Sequence, residues 1–390
     1  MKILILWPIF RPAPTAAAVR GEAFAKYLAE RGNQVRVVTP LKPSVFSSDG
    51  DPRYSVRRLE TYDTLSVKYG FVASSVLGPA SVTRLRREIA SFQPDIIIAS
   101  SPAPFLAFEG YLSSRGWRIP FIYDVRDSWR QEEHTHHDRI RNWAKRSIER
   151  ILCKGSNIVF CVSESLRESI ISDYDLPNEK VKLVTNGSEP ITLRQDPNEK
   201  EFDLVFSGYP AAYRNVRELL MAISIACKEL SVRMLCLGWR RSPQEPEILA
   251  LSMTLGIEKN LDLRFPVSHE KVPGELIRAR IGVTSLSGNR SLASAIGTKT
   301  YEYLAAGLPV ACLAPFPESE LKKFIEENRI GFYSRNAQGF ARNLVRLLRD
   351  GGRLSAMSQN ALRVSTRYSW KSIVSKVHDD YLVQLGGLRD

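Results

Sequence analysis

The sequence predicts an α/β protein built from two doubly wound parallel sheets, and three observations support this prediction. The chain has 390 residues, of which 44% are hydrophobic, and a chain of this length is too long for a single hydrophobic core of ordinary size. Short apolar runs alternate with segments of helical periodicity, which is typical of parallel strands joined by crossover helices. A polar, proline-containing stretch over residues 191–200 interrupts the alternation and is interpreted as a linker between two domains.

The N-terminal half, residues 1–190, contains apolar runs that we interpret as buried strands. These runs are KILIL (2–6), QVRVVTP (34–40), PDIIIAS (94–100), FIYDV (121–125), NIVFCVS (157–163) and KVKLVTNG (180–187). Between the first two, AVRGEAFAKYLAERG places Phe24 and Leu28 on one helical face and ends at Gly32, a C-cap residue. Residues 139–153 predict a basic helix.

The C-terminal half, residues 201–368, repeats the alternation. Its predicted strands are FDLVFSG (202–208), VRMLCLG (232–238), LDLRF (261–265), IGVTSL (281–286), PVACLA (309–314) and IGFYS (330–334). Helices are predicted between them, among them a short one over ELIRA (275–279). Ligands of such sheets bind outside the carboxyl ends of the strands, so residues that directly follow strands are the first candidates for a site.

Charge and cysteine usage bear on the partners and the compartment. The formal net charge is +13, which suits anionic substrates, an anionic membrane surface or nucleic acid without choosing between them. The five cysteines are scattered and form no CxxC motif, as is typical of buried thiols in a reducing compartment. Because no apolar run is long enough for a membrane span and no signal-peptide pattern is present, we expect a cytoplasmic protein.

The strongest chemical signal is GTKTYEYLAAGLPVACLA, residues 297–314. Gly297, Thr298 and Lys299 open a predicted helix, and the unpaired backbone amides of a helix N-terminus bind anions. Lys299 adds a positive charge, and Glu302 follows about one turn later, where its carboxylate can accept hydrogen bonds from hydroxyl groups. The alternative is an ordinary helix whose acidic residue is favoured by the helix dipole.

This stretch resembles the nucleotide-sugar motif of GT-B glycosyltransferases of family 4, and other stretches are similar to that family in the same order. The resemblance implies two Rossmann-like domains facing across a cleft, with the donor in the C-terminal one. It implies that Glu302 binds ribose hydroxyls. FSGYPAAYRNVRELLMAI is similar to the stretch that binds the donor diphosphate, here through Gly208 and Arg214. RFPVSHEKVPGELIRARIGVTSL is similar to the stretch whose backbone contacts the base, which adds Val267.

Three positions depart from the family pattern. Ser294 stands where the family has a first Glu that contacts the donor sugar, Ile296 replaces a Phe, and Tyr209 replaces an Arg. Nucleotide binding therefore carries over from the resemblance better than sugar recognition does.

The N-terminal half also matches this family. PTAAAVRGEAFAKYLAERGNQVRVVT is similar to its small-residue loop after the first strand. The residues matched there are Thr15, Ala16, Ala17 and Arg20. PFIYDVRDSW resembles a branch that acts in surface-polysaccharide assembly, with Arg126 at the position of a frequent His and Asp127 after it. SWKSIVSKVHDDYL resembles the final helix that crosses back, which assigns residues 369–390 to the N-terminal domain.

The resemblance implies a retaining glycosyltransferase that needs neither a metal nor another cofactor. It would move a sugar from a UDP- or GDP-linked donor to a glycan or lipid-linked acceptor. A departing nucleoside diphosphate requires electrostatic stabilisation, which Arg214, Lys299 and the amides at the start of the helix would supply. Asp127 would position the acceptor or act as a base.

An anionic membrane surface is a further predicted partner. Residues 69–88 and 139–154 combine basic side chains with apolar or aromatic ones, a composition that favours the cytoplasmic face of a membrane. The alternative is that both are solvated helix faces.

Other functions stay open at this point. A nucleotide-sugar epimerase shares this fold, although the paired carboxylates and the His that it needs are not apparent in the sequence. Ser294 and Arg126 leave open a catalytically weakened binding protein. HTHHD (134–138) is interpreted as a solvated loop and not as a metal site. Nucleic acid suits the charge alone, because the aromatic-basic interleaving of single-strand platforms is absent.

Overall fold

The computed structural model describes residues 1–11, 13, 15–41, 51–62, 79–101, 104–127, 139–192, 200–208, 214–238, 244–294 and 296–387. The chain divides into two compact units. Unit 1 contains Met1–Thr185 and Trp370–Asp390, and unit 2 contains Asn186–Ser369. Each unit has one parallel sheet with helices packed against it, so the predicted doubly wound α/β class is confirmed.

Unit 1 is built on a seven-stranded parallel sheet. Its strands are β1 (Lys2–Leu6), β2 (Gln34–Leu41), β3 (Ser55–Tyr62), β4 (Ile96–Ser100), β5 (Phe121–Val125), β6 (Ile158–Cys161) and β7 (Val181–Leu183). Their order across the sheet is β3-β2-β1-β4-β5-β6-β7, so the winding direction reverses between β1 and β4. β4 and β5 are buried along their whole length, as expected of strands covered on both faces.

The crossover helices of unit 1 follow its strands. They are α1 (Ala16–Glu30), α2 (Pro79–Phe92), α3 (Pro104–Gly116), α4 (Arg139–Gly155) and α5 (Glu164–Tyr174). Thr15 caps α1, because its hydroxyl accepts a hydrogen bond from the Ala18 amide at 3.2 Å. Ser163 caps α5 in the same way through the Leu166 amide.

Unit 2 is built on a six-stranded parallel sheet. Its strands are β8 (Phe202–Ser207), β9 (Met234–Leu237), β10 (Leu261–Arg264), β11 (Ala279–Ser285), β12 (Val310–Leu313) and β13 (Gly331–Ser334). The order is β10-β9-β8-β11-β12-β13, and the winding direction reverses between β8 and β11. All six strands predicted for this half are confirmed. β9 and β12 are buried along their whole length, whereas the edge strand β10 is half-buried.

The helices of unit 2 complete the second sheet. They are α6 (Val216–Cys227), α7 (Glu245–Thr254), α8 (Val272–Leu276), α9 (Thr298–Ala305), α10 (Glu320–Asn328), α11 (Ala337–Arg349) and α12 (Gly351–Arg367). The helix predicted over 275–279 was wrong in its bounds, because α8 begins at Val272 and β11 begins at Ala279. Pro273 explains the shift, since proline has the backbone angle of a helix start and lacks only an amide that is unpaired there.

The C-terminal segment packs within unit 1. Helix α13 (Trp370–Val377) continues through a π-helical turn, His378–Leu382, into α14 (Val383–Gly386). Trp370 is fully buried in the same apolar cluster as Phe24 and Leu28 of α1. This segment therefore covers part of one face of the first sheet.

Several predictions fall outside the described residues. They concern most of the linker (193–199), part of the first basic stretch (69–78), the HTHHD loop (134–138) and Tyr209.

Candidate functional site

The site in unit 2 lies where the winding direction reverses, at the carboxyl ends of β8 and β11. Gly208 directly follows β8, and its φ of 124° is a backbone conformation that side-chain-bearing residues rarely adopt. The Gly208 amide donates a hydrogen bond to the Leu237 carbonyl at 2.8 Å, which ties the end of β8 to β9. Glycine is therefore required at the point where the chain leaves the sheet beside the candidate site.

Arg214 lies directly before α6. Asn215, which follows Arg214, has left-handed φ and ψ angles of 45° and 47° and occupies the N-cap position without a capping hydrogen bond from its side chain. The Ser285 hydroxyl at the end of β11 donates a hydrogen bond to the Asn215 carbonyl at 3.2 Å. The start of α6 is thus fixed to β11, and Arg214 is close enough to Lys299 that its charge acts on the lysine amine.

Lys299 is the buried cation of the site. Its residue exposure is only 7%, and its Nζ atom has no hydrogen-bond partner among the described residues. The amine lies 4.2 Å from the centroid of the Phe206 ring, a cation–π distance. Burial, and secondarily the positive charge of Arg214, hold the pKa of Lys299 well below its usual value. An anion placed between the two cations would relieve both effects.

Helix α9, which carries Lys299, is fixed to the sheet by one tyrosine. The Tyr303 hydroxyl donates to the Val283 carbonyl of β11 at 3.0 Å and accepts from the Ser207 amide at the end of β8 at 2.8 Å. Gly282 makes room for the tyrosine ring, because a Cβ atom there would lie 2.3 Å from it. Gly297 is the N-cap residue, so no side chain caps the amides at the start of α9.

Glu302 lies one turn after Lys299 on the same side of α9. Its side chain is 21% exposed, and its Oε1 atom lies 3.5 Å from Nε2 of His269. Val267 precedes His269 by two residues, and the Val267 amide donates a hydrogen bond to the Gly238 carbonyl at 2.8 Å. His269 was not predicted as a site residue, because the family resemblance implies only backbone contacts for the stretch 264–286 that contains it.

The arrangement in unit 2 can bind a doubly charged anion with an attached polyol. Arg214 and Lys299 supply two positive charges, and the N-terminus of α9 adds a favourable dipole. Glu302 is a carboxylate beside them that can accept hydrogen bonds from hydroxyl groups. Ser294, at the position of the family's first Glu, ends a short 3-10 helix before this segment.

The predicted site residues of unit 1 begin with the start of α1. Thr15 and the first residues of the helix follow the loop after β1, where Ala16 is exposed and Ala17 is buried. Arg20 is in the interior instead, with 0% exposure. Its guanidinium donates to both carboxylate oxygens of Asp124, at 2.6 and 3.2 Å, and to the carbonyls of Val184 and Thr185.

Asp127 is exposed directly after β5, while its neighbour Arg126 is held against the sheet. The Nε and Nη2 atoms of Arg126 donate to the Ser101 carbonyl at 3.0 and 2.7 Å. Burial lowers the pKa of Arg126, and the nearby carboxylate of Asp127 opposes that shift. The structure thus groups Arg214, Lys299 and Glu302 in unit 2 and places Asp127 in unit 1.

Within the described residues, no group of three or more His, Cys, Asp or Glu residues has the geometry to hold a metal ion. Among the described helices, none is both long and apolar enough to cross a membrane.

Sequence comparisons identify the class of the protein. A sequence model of Glycosyltransferase Family 4 matches residues 18–190, and a model described as glycosyl transferase-like matches residues 214–379. An uncharacterized glycosyltransferase of Methanocaldococcus jannaschii is 24% identical over 243 residues, which span 58% of this chain and 60% of that protein.

Structure comparisons show that the same fold extends over nearly the whole chain. Sucrose-phosphate synthase from Thermosynechococcus elongatus aligns over 99% of this chain and 100% of its own, with a TM-score of 0.76 and 13% identity. HepE of Anabaena, solved in complex with UDP, has a TM-score of 0.73 at 14% identity, and the alignment covers 98% of this chain and 100% of HepE. WaaG, a glycosyltransferase involved in lipopolysaccharide biosynthesis, has a TM-score of 0.69 at 15% identity, and the alignment covers 97% of this chain and 99% of WaaG.

The two parallel-sheet units and the glycosyltransferase models that match them define the class. The chain is a glycosyltransferase with the GT-B fold. Its N-terminal part carries the match to Glycosyltransferase Family 4, the family that the sequence motifs resemble.

Proposed function

We propose that unit 2 binds a nucleoside diphosphate sugar and that the enzyme transfers the sugar with retention of configuration and without a metal ion. The observation that carries this proposal is the buried Lys299 amine, which has no hydrogen-bond partner among the described residues and lies beside Arg214. A fold tolerates such an arrangement when an anion completes it, because an unpaired buried polar group is costly. The UDP in the HepE structure favours a UDP-linked donor, with a GDP-linked donor as the alternative.

The proposed mechanism is electrostatic. As the bond between the anomeric carbon and the diphosphate oxygen breaks, its electron pair remains on the diphosphate. Arg214, Lys299 and the amides of Gly297, Thr298 and Lys299 stabilise this growing charge, which is the part a metal ion plays in other transferases. Glu302 holds the ribose hydroxyls and Val267 lies beside the base, while Gly208 lets the backbone approach the phosphates.

The acceptor is proposed to be a glycan or a lipid-linked glycan, positioned by unit 1. Asp127 is the exposed carboxylate that would orient its hydroxyl or accept its proton. Thr15, Ala16 and Ala17 form the start of α1, in the loop that the family resemblance matches. Arg20 would support this loop from the interior, because its side chain is committed to Asp124.

A nucleotide panel followed by a transfer assay tests this proposal. A donor at about 100 times its dissociation constant should stabilise the protein by about 2.7 kcal/mol in a thermal-shift measurement. The same sugar nucleotide should release its nucleoside diphosphate when acceptor is added, in the presence of excess EDTA. Loss of turnover in EDTA with recovery in Mg²⁺ would contradict metal independence. Binding without turnover on any acceptor would support the alternative of a catalytically weakened binding protein, which Ser294 at the position of the family's first Glu suggests.

We also propose that the enzyme works on an anionic membrane surface at the cytoplasmic face. On helix α4, Trp143, which is 70% exposed, lies on the same face as the exposed Arg150 and Lys154. Ile151, which is also exposed, extends the apolar part of this face. An interfacial helix inserts aromatic side chains at the headgroups while basic ones bind anionic lipid, at roughly 1 kcal/mol each.

Vesicle co-sedimentation tests the membrane proposal. Binding should require anionic lipid, decrease as ionic strength rises, and weaken when Arg150 and Lys154 are both changed to Glu. A matched control changes Arg342 and Arg346, exposed on α11 of unit 2, to Glu, which gives the same net charge. An equal loss of vesicle binding in both double variants would show that net charge alone causes the binding. Equal binding to neutral and anionic vesicles would contradict the proposal.

A further inference from the structure

His269 and Glu302 form a contact in unit 2 for which neither the sequence motifs nor the family resemblance gives a role. Nε2 of His269 lies 3.5 Å from Oε1 of Glu302, and the two side chains are 36% and 21% exposed. Both side chains thus remain accessible to a ligand while they contact each other. A histidine beside a carboxylate can donate a hydrogen bond from its neutral form or form an ion pair when protonated.

The backbone around His269 is anchored independently of Glu302. The Val267 amide donates to the Gly238 carbonyl, and the Gly238 amide donates to the Arg264 carbonyl, so this segment is pinned to the end of β9. A 3-10 turn then follows, in which the Lys271 amide donates to the Ser268 carbonyl at 3.0 Å. The imidazole therefore projects from a fixed turn.

Glu302 is anchored from the other side through α9. The Tyr303 hydroxyl bonds hold the neighbouring residue to β8 and β11. Two fixed elements thus bring the imidazole to one oxygen of the carboxylate. The carboxylate is also close enough to the Lys299 amine to act on it electrostatically, as Arg214 does.

We propose that His269 is a positioning residue that holds Oε1 of Glu302, so that Oε2 is presented to the ribose of the donor. This inference rests on the proposed function, because it assumes that a nucleotide binds here. A carboxylate on a flexible side chain loses conformational freedom when it binds a diol, and an existing contact removes part of that cost. The selectivity for ribose hydroxyls therefore depends on a histidine that need not touch the donor.

Calorimetric titration with paired nucleotides tests the inference. The probes are UDP and GDP, each compared with its 2′,3′-dideoxy counterpart. Hydrogen bonds to a charged group contribute about 1.5–3 kcal/mol, so the wild type should bind the better ribonucleotide roughly 10- to 100-fold more tightly than its dideoxy form. In His269→Ala this ratio should fall several-fold, toward the ratio in Glu302→Gln, while the affinity for the dideoxy form changes little.

Two further variants separate positioning from a structural effect. His269→Gln should restore most of the ratio, because its side-chain amide can donate to the same carboxylate oxygen. Lys271→Ala removes an exposed charge from the same turn and should leave the ratio unchanged. An unchanged ratio in His269→Ala, or an equal loss of affinity for both forms, would overturn the inference. Failure of the wild type to bind any ribonucleotide would instead refute the proposed donor site, and the inference with it.

Discussion

Lys299 is the residue at which ligand binding and fold stability conflict. Its amine is buried without a hydrogen-bond partner in the described part of the chain, and burial and Arg214 both lower its pKa. The unfolded chain binds a proton at this amine below about pH 10.4, whereas the folded chain holds that proton less tightly. Lys299 therefore destabilises the ligand-free fold at neutral pH, and this effect disappears as the pH approaches the unfolded-state value.

We predict that Lys299→Met stabilises the ligand-free protein at pH 7 by about 1–3 kcal/mol, because it removes an unpaired buried polar group. The gain should shrink as the pH rises from 7 toward 10, and nucleotide binding should weaken. Urea unfolding followed by circular dichroism measures both stabilities. Lys259→Met, at an exposed position of unit 2, is the control and should change stability by less than about 0.5 kcal/mol. A Lys299→Met protein less stable than wild type would contradict this account.

At the residue scale, Lys299 and Glu302 could be predicted as site residues, whereas the role proposed for His269 could not, although His269 lies inside a stretch that resembles the family. Lys299 and Glu302 could be singled out because a helix start with a lysine is an anion site by its geometry. His269 lies 33 positions before Glu302 in the sequence, and only the fold brings its ring to the carboxylate. Arg20 could be expected near the loop, but its burial with Asp124 depends on a partner that is 104 residues away.

At the element scale, helix α9 is held by the Tyr303 hydroxyl to the two strands that border the site. The same hydroxyl accepts from the amide of Ser207, which precedes Gly208. One side chain therefore sets the distance between the start of the lysine-bearing helix and the glycine turn. A shift of either α9 or the glycine turn would change the shape of the proposed phosphate site.

We predict that Tyr303→Phe costs about 1–3 kcal/mol of stability, because the buried Ser207 amide loses its acceptor. It should also weaken nucleotide binding, although the hydroxyl itself is buried. The matched control is Tyr333→Phe, because the Tyr333 hydroxyl donates to the Phe316 carbonyl at 3.0 Å. This variant should change stability and leave nucleotide affinity unchanged. Urea unfolding and UDP titration distinguish the two variants. Equal UDP affinity in Tyr303→Phe and wild type would refute the positioning role of Tyr303.

One strand, β3, was not predicted from the sequence, and its composition explains why. β3 (Ser55–Tyr62) is the edge strand of its sheet and reads SVRRLETY, with charged residues and no continuous apolar run. A strand covered on one face or at one edge does not give the pattern of a central parallel strand. The central strands β1, β4 and β5 were predictable because they are buried on both faces.

At the scale of the whole molecule, the chain ends in the unit in which it began. Trp370 is the first residue of the returning segment and is fully buried in the cluster with Phe24 and Leu28. Its ring also lies 6.0 Å from the Arg20 guanidinium, the buried cation paired with Asp124. The returning segment thus completes the core next to β1 and α1.

We predict that Trp370→Ala destabilises unit 1 by about 3–5 kcal/mol, the usual cost of removing a buried aromatic ring. Hydrogen exchange of the β1 and β4 peptides should accelerate, because local opening follows local stability. Trp117→Ala, at a position that is 43% exposed, is the control and should cost much less. Unchanged exchange in β1 after Trp370→Ala would show that unit 1 does not depend on the returning segment.

The central claim is that Arg214 and Lys299 bind the diphosphate of a nucleotide donor, and calorimetry of nucleotides against nucleosides tests it most directly. UDP is compared with uridine, and GDP with guanosine, in the wild type, Arg214→Ala and Lys299→Ala. Each lost charged contact should lower the preference for the diphosphate by about 1.5–3 kcal/mol, while affinity for the nucleoside changes little. The account predicts a strong preference in the wild type that falls in both variants. Equal binding of nucleotide and nucleoside by the wild type, or a preference that both variants retain in full, would contradict it.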